Sequence, residues 1–290
     1  MLGGFMARKI FLKLTRDLYP QVKDRYPYVY LEHGRLEVDD SSVKWIDSEC
    51  HVVRIPIGLV AAILLGPGTT ITHEAVKILS SAGCTVCWIG AEGLAFYASG
   101  VSPTSDSRNL LRQITMSCDP DSRLLVARRM FSQRFPGLDL GDKSIPEMMG
   151  MEGIRVRKMY SEMAQRYGVD WSGRAYIPGR PKDSDLVNSI LTFSNGLLYG
   201  VATTVIVAMG YSPRVGFVHS GSPMPFVYDM ADLYKKFLTI DLSFSMASRM
   251  DKSGFDRKSV IDEFCSRALE MNLLEVMAND IVEILREPKC

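Results

Sequence analysis

The sequence predicts an α+β protein: a small β-rich N-terminal domain over residues 1–102, followed by a larger all-α C-terminal domain over residues 103–290. Three observations carry this. Up to about residue 100 the apolar residues form short runs bounded by Gly, Pro and Asp-Ser turns, a strand pattern. Beyond about residue 105 the apolar period lengthens to that of helices. Between them, Ser99-Gly100-Val101-Ser102-Pro103-Thr104-Ser105-Asp106 has the composition of a linker.

In the first part, Tyr28–Glu32 reads as a strand, His33-Gly34-Arg35 as a turn and Leu36–Val38 as the returning strand. Asp39–Ser42 is a second turn before a strand at Val43–Ile46. His51–Ile55 continues the pattern, and Leu59–Leu65 is an apolar run between Gly58 and Gly66-Pro67-Gly68. A short helix spans His73–Ala82, with Thr72 as its N-cap and Gly83 as its stop. Cys84–Ile89 and Leu94–Ala98 form a hairpin about Gly90 and Gly93.

In the second part, Leu110, Leu111, Ile114 and Met116 fit the apolar period of a helix. Asp119-Pro120 starts the next, with proline at the first helical position, and Pro136-Gly137 ends it. After a loop over 136–144, a long helix runs from about Ile145 to Tyr167, its start weakened by Gly150 and Gly153. Residues 168–182 read as loop; Asp183 or Ser184 then caps a second long helix reaching about Gly210. A loop over 211–224 leads to helices near 226–237, 241–250, 256–271 and 273–286.

Apolar residues are 47% of the chain and charged residues 23%, ordinary for a soluble globular protein. A net charge of +1 excludes a uniformly basic nucleic-acid binder. Its distribution is uneven: residues 106–182 hold fourteen basic and nine acidic residues, residues 183–290 ten and fourteen. The middle third is therefore a candidate surface for a polyanion, beside an acidic third that could hold cations. The plainer alternative is that Arg123, Arg128, Arg129 and Arg134 solvate one helix. Of six cysteines only Cys84 and Cys87 are closely spaced, with no second ligand pair for zinc, so the thiols read as structural in a reducing cytoplasm. No secretory signal is expected, because Arg8, Lys9, Lys13 and Arg16 follow the short apolar start instead of preceding it. The apolar stretches 57–66 and 196–210 read as too short or too interrupted to span a bilayer.

The chemistry-bearing window is Gly216-Phe217-Val218-His219-Ser220-Gly221 followed by Phe226-Val227-Tyr228-Asp229-Met230-Ala231-Asp232. Asp229 and Asp232, three apart, share one face of a helix. Two acids in apolar company are costly unless compensated, and a divalent cation would do so. A second island, Gly150-Met151-Glu152-Gly153-Ile154-Arg155-Val156-Arg157, sets a further acid beside two arginines. One imidazole with several carboxylates suits Mg²⁺ or Mn²⁺, and the arginines suggest a phosphate-bearing substrate. Each residue also has a plain alternative: His219 as a hydrogen-bonded loop residue, the aspartates as solvated acids, Glu152 as an acid favoured at a helix start.

The spacing Glu-Gly-x-Arg-x-Arg from Glu152, Leu-Tyr-Gly at 198–200, Gly-Phe-Val-His-x-Gly from Gly216 and Phe-Val-Tyr-Asp-x-Ala-Asp from Phe226 resembles the CRISPR-associated integrase of spacer acquisition, the Cas-one family, and within it the type I-E branch. Ile55-Pro56-Ile57-Gly58, Leu65-Gly66-Pro67-Gly68-Thr69, Trp88-Ile89-Gly90-Ala91-Glu92-Gly93 and Tyr97-Ala98-Ser99-Gly100 are similar to that branch too, so the resemblance covers about residues 25–290. It implies a β-rich domain for dimerisation and DNA-end contact, and a helical catalytic domain. It implies a metal, Mg²⁺ or Mn²⁺, held by Glu152, His219 and Asp232, with Asp229 as a further catalytic acid, ligand or support. The implied reaction is attack by a 3′-hydroxyl of short duplex DNA on a phosphodiester at the edge of a CRISPR repeat. The implied partners are double-stranded DNA, a second copy of the chain and the small second Cas protein. Tyr199, Tyr228, Arg155, Arg157 and Arg108 are implied DNA contacts. His33 stands where close relatives carry a tyrosine that braces the duplex end, and Ser222 where a relative has lysine. Two other readings stay open: a stand-alone structure-specific nuclease or transposon-type integrase with the same metal residues, and a non-catalytic DNA-binding scaffold.

Overall fold

The computed structural model describes residues 20–39, 42–90, 96–100, 107–174, 185–250 and 256–287. In chain order its strands are β1 (Tyr26–Leu31), β2 (Gly34–Asp39), β3 (Ser42–Asp47), β4 (Val52–Ile55), β5 (Val60–Leu65), β6 (Thr69–Ile71), β7 (Thr85–Trp88) and β8 (Ala98–Gly100). They form two four-stranded sheets, ordered β1-β5-β7-β8 and β4-β3-β2-β6. The β-rich first part and helical second part are as the sequence predicts.

The first predicted hairpin does not form. β1 lies parallel to β5 in one sheet, whereas β2 pairs antiparallel with β3 and parallel with β6 in the other. His33, at φ 56°, turns a corner between the sheets and does not reverse the chain. Gly68, at φ 70°, turns the matching corner between β5 and β6. The two corners run side by side: Gly66 N–H donates to Leu31 O at 2.7 Å, His33 N–H to Pro67 O at 2.9 Å and Gly34 N–H to Gly68 O at 3.1 Å. Gly34 is required, because a Cβ there would lie 2.3 Å from the Trp45 ring.

β5 is buried along its whole length, which explains its unbroken apolar run. One face joins Leu36, Val43, Trp45 and Leu79 of α1 (His73–Ser81). The other joins Tyr28 and Cys87 in a core shared with the helices. Thr72 caps α1 by accepting from Ala75 N–H. β8 pairs with β7 from Ala98 onward; Gly93 and Leu94 of the predicted hairpin lie outside the described residues. Cys84 and Cys87 are buried as predicted, and burial pushes the Cys84 thiol up to about 12 and raises that of Cys87 further.

The helices are α2 (Arg108–Cys118), α3 (Pro120–Arg134), α4 (Ile145–Tyr167), α5 (Leu186–Ala208), α6 (Pro225–Asp232), α7 (Asp241–Ala247), α8 (Arg257–Glu270) and α9 (Leu273–Ile284), with a π-helical turn at Lys236–Ile240. α4 tolerates Gly150 and Gly153 because its start is secured upstream: Ser144 and Glu147 form a capping box, and Pro146 stands in the first turn. α5 is the central helix, packed by α6, α7, α8, α9 and β5. Its N-cap is Asp185, which accepts from Asn188 N–H at 2.7 Å; Asp183 and Ser184 lie outside the described residues. By length and composition α5 could cross a membrane, contrary to the sequence reading of 196–210, but 83% of its apolar window is buried within the protein. The inward face of α2 also differs from its apolar period: Gln113 and Met116 are buried, while Leu111 and Ile114 are exposed.

Candidate metal centre

Three segments converge on one point. α4 brings Glu152 in its second turn, α6 brings Asp229 and Asp232, and the loop between α5 and α6 brings His219. The loop folds tightly against the start of α6 at Gly216. A Cβ there would lie 2.6 Å from Pro225 Cβ and 2.8 Å from His219 O.

Asp229 organises the loop. Its Oδ2 accepts from Phe217 N–H at 2.7 Å and Val218 N–H at 3.2 Å, and its Oδ1 accepts from His219 N–H at 2.9 Å. The same Oδ1 meets His219 Nδ1 at 2.8 Å. With Nδ1–H donating to the carboxylate, the lone pair of neutral His219 sits on Nε2. That atom faces Asp232 Oδ2 at 3.8 Å. The Asp229 hydrogen bond raises the His219 pKa above its ordinary value against the effect of burial, and Asp232 adds to the rise. Asp229 therefore orients the imidazole, and its own oxygens are fully engaged.

Asp232 is compensated differently. Its Oδ2 accepts from Arg134 Nη1 at 3.1 Å, and its Oδ1 lies 2.6 Å from Lys235 Nζ. Arg134 Nη1 also pairs with Glu152 Oε1. Burial opposes the charge of Asp232, but Lys235 and Arg134 hold its carboxyl below the usual range. At Glu152 burial prevails over Arg134 and the pKa is raised. Burial likewise opposes the charge of Lys235, yet Asp232 keeps its pKa above the ordinary lysine value.

Aromatic rings wall this cluster. The Lys235 ammonium lies 5.2 Å from the Tyr199 ring centre, Tyr199 and Tyr228 meet edge to face at 5.1 Å, and Tyr228 meets His219 at 6.1 Å. A cleft of about 730 Å³ opens beside Glu152 and His219, lined by Arg157, Arg174, Tyr160 and Trp171 among others. Arg155 is exposed, 5.8 Å from the Phe135 ring. Arg108, exposed at the start of α2, and His33, exposed at the sheet corner, do not line this cleft.

Arg134 and Lys235 are not among the sequence candidates for the site. Lys235 is legible in hindsight as the residue three after Asp232, on the same helical face. The sequence leaves Arg134 either on a polyanion surface or solvating a helix, and the structure pairs it instead with Glu152 and Asp232. The Arg134 side chain is only 13% exposed. Arg123 donates to Phe217 O at 2.8 Å, and Arg129 donates to Ile284 O at 2.9 Å.

Among the described residues no group of three His, Cys, Asp or Glu side chains is arranged to hold a metal ion as it stands. The Arg134 guanidinium sits between the two carboxylates. The donor set nonetheless fits a hard or intermediate cation: two carboxylates and one imidazole nitrogen. Asp232 Oδ1 in particular is a buried oxygen that, among the described residues, has no hydrogen bond of ordinary geometry and lies 2.6 Å from the Lys235 ammonium.

The family model described as CRISPR associated protein Cas1 matches residues 138–265, the stretch that contains all four acidic and histidine residues of the cluster. CRISPR-associated endonuclease Cas1 2 of Chlorobaculum tepidum is 51% identical over 97% of this chain and 95% of its own. The chain belongs to the Cas1 family. The fold agrees: the crystal structure of a TtCas1–DNA complex is 34% identical, with a TM-score of 0.80 over 90% of this chain and 92% of its own. A chain of a structure described as a Cas6-RT-Cas1–Cas2 complex, 14% identical, shares the fold with a TM-score of 0.71 over 92% of this chain and 36% of its own. The Cas1 family thus accounts for the β-sheet first part and the helical second part of the fold.

Proposed function

We propose that this chain is a metal-dependent DNA endonuclease and integrase of CRISPR adaptation, in the type I-E branch, which inserts spacer DNA by 3′-hydroxyl attack on a repeat phosphodiester. The observation that carries this reading is the convergence of Glu152, His219 and Asp232 beside a cleft lined by Arg157 and Arg174. Glu152, His219 Nε2 and Asp232 would hold Mg²⁺ or Mn²⁺. When bound, the cation supplies Lewis acidity for a hydroxyl nucleophile and for the charge developing on the phosphate. Asp229 keeps His219 in the tautomer that presents Nε2. Arg157 would pair with a DNA phosphate, and Arg174, whose guanidinium donates to Asn188 and Thr192, would add positive charge to the cleft, which positions a strand without reading its sequence. Tyr199 and Tyr228 line the point where the DNA end would meet the acids.

The proposed substrates are double-stranded prespacer DNA and the CRISPR repeat, and the proposed partners are a second copy of the chain and the small Cas2 protein. The relative described as a TtCas1–DNA complex, 34% identical, supports DNA as a partner. The test is integration of a short duplex into supercoiled DNA carrying the repeat, with Mg²⁺ or Mn²⁺, with and without Cas2. Strand transfer that needs Cas2 and is lost in Asp232→Ala and His219→Ala, while duplex binding persists, is the expected result. Full integration by either variant overturns the reading, and transfer independent of Cas2 points to a stand-alone integrase.

A further inference from the structure

The loop that delivers His219 has neither strand nor helix to satisfy its backbone, yet side chains meet its polar groups in succession. Asn109 Nδ2 donates to Met209 O at 2.7 Å. Gln113 Nε2 donates to Ser212 O at 3.0 Å and to Val215 O at 2.7 Å, while Gln113 Oε1 accepts from Ser212 N–H at 2.8 Å. Ser117 Oγ donates to Gly216 O at 3.0 Å, and Arg123 Nε to Phe217 O at 2.8 Å. Asp229 then takes the N–H groups of Phe217, Val218 and His219. Asn109, Gln113 and Ser117 are four apart, so they form one stripe along α2. Gln113 is completely buried, and both ends of its amide are spent on this loop.

We propose that Gln113 is a positioning residue for His219. Through Ser212 and Val215 it sets the path of the loop that hands the imidazole to Asp229, and so it determines where Nε2 stands relative to Glu152 and Asp232. This rests on the metal-dependent reading above and extends it to a helix that supplies none of the proposed ligands. The chemistry explains the residue type. An apolar side chain of similar size would fill the space but strip the Val215 carbonyl and the Ser212 N–H of these partners, and leave the Ser212 carbonyl with its long contact to Val215 N–H at 3.4 Å. A glutamate would keep an acceptor for Ser212 N–H and lose both donors. Ser117 repeats the same device one turn further along, at Gly216, where the loop packs against Pro225 of α6.

The experiment uses the full chain and compares wild type with Gln113→Leu, Ser117→Ala, Ser117→Thr and His219→Ala. Three quantities are read: Mn²⁺ affinity from the free-ion electron paramagnetic resonance signal, amide hydrogen exchange at Phe217–His219 without metal, and duplex binding without metal. Gln113→Leu is expected to speed exchange at Phe217–His219 and to weaken Mn²⁺ binding by about tenfold or more, with duplex binding unchanged. Ser117→Ala shifts both in the same direction by less, and Ser117→Thr, which keeps the hydroxyl, restores them. A folded Gln113→Leu with wild-type exchange and wild-type Mn²⁺ affinity overturns the proposal. If Gln113→Leu does not fold, the serine pair decides, and failure of Ser117→Thr to recover what Ser117→Ala loses is the overturning result. Should His219→Ala leave Mn²⁺ affinity unchanged, the metal-centre reading fails separately, and the exchange data alone judge the clamp.

Discussion

Asp229 and Asp232 stand one helical turn apart on α6, yet their carboxylates are satisfied by opposite means. On the Asp229 side every partner is an N–H: three consecutive backbone amides and the ring of His219. On the Asp232 side the partners are two cationic side chains, Arg134 and Lys235. A carboxylate fixed by main-chain donors cannot give up its partners without unravelling the loop they belong to. One balanced by side-chain cations can exchange them for another cation. The comparison separates a carboxylate tied to the framework from one free to exchange its partners, the one the proposed function makes the working acid.

The largest effect expected from this division is on strand transfer. Asp232→Ala should reduce it by about a thousandfold or more, and Asp229→Asn by about ten- to a hundredfold, the range for a group that orients a ligand. Single-turnover integration rates at saturating DNA measure both. Equal losses would erase the distinction. Stability should separate the two next. In Asp229→Asn the new side chain presents one acceptor and an NH₂ group to donors that need two charged oxygens. That substitution should therefore cost about 3 kcal/mol in metal-free urea unfolding. Saturating Mn²⁺ stabilises a protein by linkage, about 2.7 kcal/mol at a hundred times the dissociation constant. That increment should survive in part in Asp229→Asn and vanish in Asp232→Asn. A full Mn²⁺ increment in Asp232→Asn would sink the assignment of Asp232 as the working acid.

The same distinction explains what could be read from the sequence. The apolar company of His219, Asp229 and Asp232 marks the site, and the run Val60–Leu65 marks a strand buried on both faces. Periodicity registers both, because burial of apolar surface repeats along an element. Partners from distant segments leave no such trace. Arg134 looks like any arginine of a charged helix until α3 is placed against α4 and α6. Gln113 looks like the polar face of α2, because the loop it serves lies about a hundred residues away. His33 misleads for a local reason. His-Gly before a polar strand is a fair turn signal, but a single residue at positive φ can turn a corner between sheets as readily as it can reverse a chain.

A smaller effect tests the cation side directly. Arg134 Nη1 pairs with both Glu152 and Asp232, so it competes with any cation for the same oxygens. Arg134→Gln should bind Mn²⁺ more tightly, by about tenfold if the guanidinium contributes about 1.4 kcal/mol to the metal-free site, and calorimetry would read it. Weaker Mn²⁺ binding in Arg134→Gln would mean that the guanidinium supports the metal and does not stand in for it.

The smallest expected effect is a pH slope, and its sign differs between the two sides. His219 faces Asp229 through Nδ1, with Asp232 and Glu152 on its far side, and its pKa in the folded protein lies above the ordinary value of 6.5. A raised folded pKa means that the charged imidazole stabilises the metal-free protein fully below about pH 6.5, and that this contribution is lost as pH rises through the folded value. Metal binding needs the opposite state, because Nε2 must shed its proton to act as a ligand. Thermal midpoints of the metal-free protein should therefore carry a component from this residue that falls with rising pH in that window, while Mn²⁺ affinity rises over it. His219→Ala should remove the first slope. His219→Asn, which keeps a donor near Asp229 but no ring nitrogen near Asp232, should abolish the second as well. If the metal-free slope persisted unchanged in both variants, the proton would have to reside on Glu152, whose pKa burial also raises, and not on Asp232, whose lowered pKa gives a slope of the opposite sign.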